Sequence, residues 1–381
     1  DDFNSENESS DVSNSVDGGG KSSREHSDEM KSTTSRSFDE KAQELVDKYA
    51  SDTHYVELPK WNLDNLIIPN SFIHEQLKNF YENSYWTEEY KNVCDEYSKY
   101  KKSAEKEVSY LVKEFECKKS ADQYARASTA RTGILDTQKL HTYKYNEDLF
   151  KKVTVLPDGK NHGLIFILDW SGSMGHFILD AYKQLLNLIW FCRKVNIPFE
   201  VYAFTLDCKS YMMHQQDNPD TIEKVSGVMA PEQSFRLMNF FTSSTNNRVL
   251  EEQLKNIWAA CCGHQMRSIG VPSHLDLSGS PIGDTLLSLH AIIPMFQKKN
   301  KLQKVNVVML TDGEGYTNAV TVEKKRYCDQ ESFIGYTKYV KTCIRDRKTG
   351  RIYPAIEYDN FPVYSKILLQ TLKDKFSDVS Y

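Results

Sequence analysis

A short polar stretch follows an apolar run of the chain, and its residue types are those of a metal site. Residues 164–168 are all apolar, and Asp169, Ser171 and Ser173 come directly after them. Such a run is typical of a strand buried on both faces of a sheet. Carboxylate and hydroxyl oxygens are the ligands that hard cations such as Mg²⁺ prefer. The stretch therefore predicts an oxygen-rich cation site; the alternative is a turn in which a serine caps the next helix.

A second carboxylate stands in the same kind of position later in the chain. Residues 305–310 are apolar apart from Asn306, and Asp312 lies just beyond them. Open α/β sheets place their ligands outside the carboxyl ends of parallel strands. We therefore expect Asp312 to lie beside the Asp169 loop.

The elements around these residues alternate as in an α/β protein. The pattern predicts a strand over 163–169, a helix over 177–195, a strand over 198–204 and further helices over 284–297 and 364–376. Strand, helix and strand at this spacing form a right-handed parallel crossover. The polar range 206–278, with helical patterns at 232–241 and 248–262, is interpreted as an insertion, and 337–357 as a projecting hairpin. We expect both to be partner surfaces outside the core.

These motifs resemble those of a known family. Asp-x-Ser-x-Ser after an apolar strand resembles the metal-ion-dependent adhesion site (MIDAS) of von Willebrand factor A (VWA) domains. In VWA domains of the chelatase type a Gly-Thr-Pro-Leu/Ile-Gly segment supplies a third loop, and Ser280 stands here at the Thr position. Over residues 160–380 the chain looks, among VWA domains, most like the C-terminal part of CobT, a cobaltochelatase subunit, and especially like CobT-like proteins encoded by tailed phages. The matching motifs are Leu-Asp-Trp-Ser-Gly-Ser-Met, Ser-Pro-Ile-Gly-Asp and Thr-Asp-Gly-Glu.

The resemblance implies a fold, a metal and a set of ligands. The fold would be α/β, a VWA (Rossmann-like), mostly parallel sheet with helices on both faces, preceded by an α-helical N-terminal region. The cofactor would be Mg²⁺ or Mn²⁺. Its ligands, direct or through water, would be Asp169, Ser171, Ser173, Ser280 and Asp312.

The resemblance also implies partners. CobT-like proteins work with an AAA+ ATPase of the CobS/MoxR type, and a client protein would bind the metal through a carboxylate. We therefore expect an adaptor that docks such an ATPase onto a client complex. The alternatives are a chelatase subunit taking part in cobalt insertion in cobalamin biosynthesis, a peptidase and an extracellular adhesion domain.

Catalytic motifs are missing from the sequence. It contains no Gly-x-x-x-x-Gly-Lys-Ser/Thr loop, no His-Glu-x-x-His and no Gly-x-Ser-x-Gly. Asp136 and His141 have no partner at a known catalytic spacing, and Cys261-Cys262-Gly263-His264 lacks the second ligand pair of a zinc site. We expect a non-catalytic subunit of a chelatase-like ATPase complex.

The composition limits the kinds of partner and the cellular compartment to be expected. The net charge is −5 over 381 residues, which does not favour nucleic-acid binding. No apolar run approaches the roughly 18 residues of a membrane helix. No secretory signal is visible, and the eight cysteines form no CxxC pair. We expect a chain with reduced thiols, without a nucleic-acid or membrane partner, in the cytoplasm (the host cytoplasm for a phage-encoded chain).

The predicted domain organisation has three parts. Residues 1–37 are rich in Ser and acidic residues and are predicted to be disordered. Residues 38–150 form the helical N-terminal region, with one long helix over about 88–126. Residues 151–381 form the VWA domain. Residues 377–381 are too short and polar for the final strand of such a sheet, and the first residue is Asp and not Met. The chain is therefore predicted to be truncated at both ends, with an unpaired sheet edge.

Overall fold

The computed structural model describes most of one compact unit, Ser51–Tyr381. The described residues are 54–82, 85–126, 128–135, 137, 139, 144–145, 150–155, 161–206, 220–223, 225–313, 315–325, 332–337, 342–347, 349–354 and 360–381. The other unit, Asp1–Ala50, lies outside them. The predicted disorder of 1–37 and the start of the predicted helical region are therefore outside the described residues.

Strands and helices alternate through the second half of the chain. The strands are β1 (His54–Val56), β2 (Ile67–Ile68), β3 (Ser128–Leu135), β4 (Phe150–Val155), β5 (His162–Asp169), β6 (Phe199–Thr205), β7 (Met229–Ala230), β8 (Arg236–Thr242), β9 (Lys304–Leu310), β10 (Ala319–Lys325), β11 (Ser332–Thr337), β12 (Thr342–Ile344) and β13 (Val379–Ser380). The helices are α1 (Leu63–Leu66), α2 (Asn70–Glu82), α3 (Thr87–Arg126), α4 (Ile178–Val195), α5 (Asn247–Met266), α6 (Ile282–Asn300) and α7 (Phe361–Lys375).

The central sheet has six strands in the order β13-β9-β5-β6-β8-β2. All neighbouring strands are parallel except β6 and β8, which are antiparallel. In the register of the sheet, Leu168 of β5 lies opposite Leu310 of β9, so these two parallel strands end at the same edge. The fold is thus α/β with a mixed, mostly parallel sheet.

Helices cover both faces of this sheet. Along β5 the buried side chains alternate: Phe166 and Leu168 pack in one hydrophobic cluster with α2, α3, α4 and α5. Ile165 and Ile167 pack in the other cluster, with α6 and α7. A strand buried on both faces must be apolar at every position, which is why the run 164–168 is uninterrupted. Within the described ranges, no helix is both long enough and apolar enough to cross a membrane.

The interpretation of 206–278 as an insertion outside the core is wrong for its second half. Strand β8 lies inside the central sheet, between β6 and β2, where a helix over 232–241 was predicted. Helix α5 buries Ile257 and the neighbouring residues 258–263 in the core. Short apolar runs do not distinguish a buried strand from a helix by periodicity. Residues 207–219 and 224 of this range are outside the described part.

The range 337–357 is also anchored in the core, contrary to the predicted projecting hairpin. Strand β12 pairs in parallel with β1, and Arg345 forms an antiparallel bridge with Ile352, so a tight turn does lie between them. However, Ile344 and Tyr353 are buried in the same cluster as α6 and α7. Residues 338–341, 348 and 355–359 lie outside the described residues.

Two further predictions differ from the structure. Residues 377–381 were predicted to be too short and polar for a strand of this sheet, but Val379 of β13 pairs with Val305 of β9. The predicted long helix corresponds to α3, but the range 38–150 is not helical throughout. Its residues 128–135 pair antiparallel with 150–155 as β3 and β4.

Candidate metal centre

Asp169 is the centre of a polar cluster at the carboxyl end of β5. The residue is 0% exposed. Its Oδ2 accepts a hydrogen bond from Ser280 Oγ at 2.9 Å and another from Thr311 Oγ1 at 2.7 Å. The carboxylate therefore joins three segments: the end of β5, the loop before α6 and the turn after β9.

Ser171 and Ser173 lie on the loop that leaves β5. Ser171 is buried and forms a parallel bridge with Ser278, and Gly172 N donates to Ser278 O at 2.8 Å. The hydroxyl oxygens of Ser171 and Ser173 are 3.1 Å apart. This backbone pairing fixes the serine loop against the segment that carries Ser280.

Buried side chains hold that second segment in place. Trp170 is 0% exposed, and its Nε1 donates to Leu275 O at 2.7 Å. His264 Nε2 lies 2.8 Å from the same carbonyl oxygen. At Gly279 an added Cβ would lie 2.8 Å from Leu206 Cδ1. The loop therefore passes close to the end of β6, and a side chain at 279 would displace either Leu206 or the loop.

The electrostatics of Asp169 fit a cation ligand. Burial raises the pKa of this carboxyl above its ordinary value of 3.8, hydrogen bonds from Thr311, Ser171 and Ser280 partly oppose that rise, and the charge of Asp312 adds to it. Its buried Oδ1 accepts no hydrogen bond from the described residues. A desolvated carboxylate with an unused oxygen is costly without a positive charge nearby.

The five predicted ligands are not all placed alike. Hydrogen bonds connect four of them. Ser171 and Ser280 donate to Asp169, and the hydroxyl of Ser173 contacts that of Ser171. Asp312 is exposed on the turn after β9, near enough for its charge to raise the pKa of Asp169. Thr311 belongs to the cluster but was not among the predicted ligands. Its place, directly before Asp312 at a strand end, is the signal that would have found it.

Four of the six side chains of this cluster carry hydroxyl groups, and the other two carry carboxylates. In the described ranges no three His, Cys, Asp or Glu side chains gather as a metal-binding group. Cys261 and Cys262 are buried within α5, and His264 lies against Leu275 O, which supports a structural role for that motif. Asp136 and His141 lie outside the described residues.

Comparisons with protein-family models, curated proteins and solved structures found no significant match to this chain. The class of the protein therefore rests on fold and site. It is an α/β protein with a buried, hydroxyl-lined carboxylate at the carboxyl end of a mostly parallel sheet.

Proposed function

We propose that this chain is a CobT-like VWA adaptor whose polar cluster binds Mg²⁺ or Mn²⁺ and receives a carboxylate from a client protein. The observation that carries the proposal is the Asp169 carboxylate. It is fully buried, it accepts hydrogen bonds from Ser280 and Thr311, and its second oxygen has no described partner.

The chemistry of the donor set supports a hard cation. The residues that would hold it are Asp169, Ser171, Ser173, Ser280 and Asp312, and we add Thr311 from its contact with Asp169. All offer oxygen, which suits Mg²⁺ and Mn²⁺. When bound, the cation would supply positive charge to the desolvated carboxylate and an open position for an external carboxylate.

The hydrogen bonds around Asp169 indicate what each side chain of the cluster would do. The hydroxyls of Ser280 and Thr311 orient Oδ2 of Asp169 by donating to it. The fixed β5 loop keeps Ser171 and Ser173 beside the carboxylate. The site is therefore preorganised by the backbone, and client binding would not require it to be built anew.

The proposed partner is an AAA+ ATPase of the CobS/MoxR type, in the cytoplasm of the cell or of a phage host. The test is co-purification of this chain with such an ATPase and a client, in Mg²⁺ and in EDTA. We expect the wild-type chain to capture the client only in Mg²⁺, and Asp169→Ala to lose that capture. Undiminished capture by the wild-type chain in EDTA, or by Asp169→Ala in Mg²⁺, would refute the metal-dependent role.

The second candidate function is a chelatase subunit that takes part in cobalt insertion. It shares the metal cluster and the ATPase partner, and it differs in the reaction of the complex. Cobalt insertion into a corrin ring by the reconstituted complex would favour it. A complex that binds its client but inserts no cobalt would favour the adaptor.

A further inference from the structure

A groove between three helices lies away from the Asp169 cluster. It has a volume of about 700 Å³ and is lined by residues of α3, α4 and α5. This volume is within the roughly 300–1,000 Å³ typical of ligand pockets. Its α4 residues, Trp190, Arg193 and Lys194, lie near the end of that helix, whereas the Asp169 loop precedes its start. At 1.5 Å per residue the two places are about 20 Å apart along α4.

The floor of the groove is apolar. Val108, Leu250 and Leu254 are at most 4% exposed, and the half-buried Trp190 lies beside them. These side chains belong to the packed layer of helices on one face of the sheet. Trp190 is the floor residue with apolar surface still exposed, and a ligand side chain that covered it would bury that surface.

The rim of the groove is basic. Six basic side chains line it against two acidic ones, Glu105 and Glu251; the basic residues are Lys101, Lys102, Arg193, Lys194, Arg248 and Lys255. This excess stands out because the whole chain carries a net charge of −5. The rim therefore concentrates positive charge on a chain that is acidic on average.

Most of this positive charge is not cancelled locally. Lys101 pairs with Glu251 at 2.7 Å. Arg193 donates to the backbone carbonyl oxygens of Ser243 and Thr245, which are neutral acceptors and leave its charge in place.

Lys194 behaves in the same way as Arg193, whereas Arg248 has a long ion pair at the surface. Lys194 donates to the Ser109 hydroxyl at 3.0 Å, again a neutral acceptor. Arg248 pairs with Glu252 at 3.8 Å, and because both side chains are exposed to solvent this ion pair is weak. The groove thus offers positive charge around an apolar floor.

We propose that this groove binds an acidic amphipathic helix of a partner protein. Its apolar side chains would pack on Trp190, and its carboxylates would meet the basic rim. A groove between helices with an apolar floor is typical of helix-in-groove recognition. Nucleic acid fits less well, because a phosphate backbone would leave the apolar floor uncovered.

The probe is a fluorescein-labelled peptide of about four helical turns, with Leu and Phe at i, i+3, i+4 spacing and Glu at the other positions. Binding is measured by fluorescence anisotropy in EDTA, which removes any capture by a metal at Asp169. Three other ligands are compared: the same peptide with Lys for Glu, the same peptide with Ser for Leu and Phe, and an oligo-dT.

Two double variants reverse the charge of two lysines each, one on the rim of the groove and one, as a control, on a different helix. Lys102→Glu with Lys255→Glu changes the groove, and Lys366→Glu with Lys373→Glu is the matched control on exposed positions of α7, which packs on the opposite face of the sheet. Circular dichroism and thermal unfolding check that both variants fold. The groove variant should bind the acidic peptide about tenfold more weakly, and the control variant should bind it as the wild type does.

Comparison of the four ligands identifies the chemistry of the partner that binds in the groove. The acidic amphipathic peptide should bind more tightly than the Lys-substituted and Ser-substituted peptides, and its affinity should fall as salt rises. Equal binding of the Ser-substituted peptide, tighter binding of oligo-dT, or unchanged affinity in the groove variant would each overturn the proposal. The proposed metal function is unaffected by these outcomes, since EDTA is present throughout.

Discussion

The substitution Asp169→Asn tests the metal centre most directly. The amide keeps the size of the side chain and can still accept from Ser280 and Thr311 through its oxygen, but it removes the negative charge that a cation needs. A ligand that binds only the folded chain stabilises it by about 2.7 kcal/mol at a concentration of 100 times its Kd. The wild-type chain should gain this free energy of unfolding from Mg²⁺, and Asp169→Asn should gain none.

The size of the thermal shift follows from the size of the folded unit. The unit Ser51–Tyr381 has about 330 residues. Its unfolding entropy near 60 °C is then about 0.7 kcal/mol per kelvin, from about 2.1 cal/mol/K per residue. A stabilisation of 2.7 kcal/mol therefore corresponds to a rise in Tm of about 4 °C, which differential scanning fluorimetry resolves.

The matched control is Asp180→Asn, on the exposed first turn of α4. Asp180 pairs with Lys183 at 2.9 Å, has a side chain 62% exposed and takes no part in the Asp169 cluster. Its variant should respond to Mg²⁺ as the wild type does. If the wild type and Asp169→Asn show the same Tm shift with Mg²⁺, the metal assignment is refuted.

Three further perturbations have defined outcomes. Thr311→Val removes a hydroxyl donor to Asp169 while keeping the side-chain shape, so calorimetry should show weaker Mg²⁺ binding; unchanged affinity would exclude Thr311 from the site. Burial lowers the pKa of His74 from its ordinary value of 6.5 to about 4. The neutral side chain therefore contributes its full stability above pH 6.5, and the free energy of unfolding falls by about 3 kcal/mol as the pH drops toward 4. Urea unfolding at several pH values should show a smaller loss in His74→Gln, and equal pH slopes would contradict the assignment. Glu200→Ala leaves Asn239, Thr242 and Lys299 without their shared acceptor, so the free energy of unfolding should fall by about 1–3 kcal/mol. A loss below about 0.5 kcal/mol, as at ordinary surface positions, would show that these contacts contribute little.

The sequence by itself determined the centre of the fold. Strands β5 and β9 were recognised because parallel strands covered on both faces are rich in apolar residues, and a carboxylate near the end of each run marks where the strand stops. Helix α3 was recognised because its 40 residues contain no Gly or Pro. Both signals are local, so they can be read without knowing what packs against them. They also identified Asp169 and the neighbouring serines as candidate ligands.

Only the tertiary structure shows which other strands and side chains contact this central part of the fold. Strand β8 has a local pattern that also suits a helix, and β13 is two residues long, so each is defined by its pairing with β6 or β9. The hydrogen bonds from Ser280 and Thr311 to Asp169 join residues 111 and 142 positions apart. The basic groove likewise combines side chains of three helices. Local patterns do not encode these contacts, because their geometry depends on how distant segments pack in the folded chain.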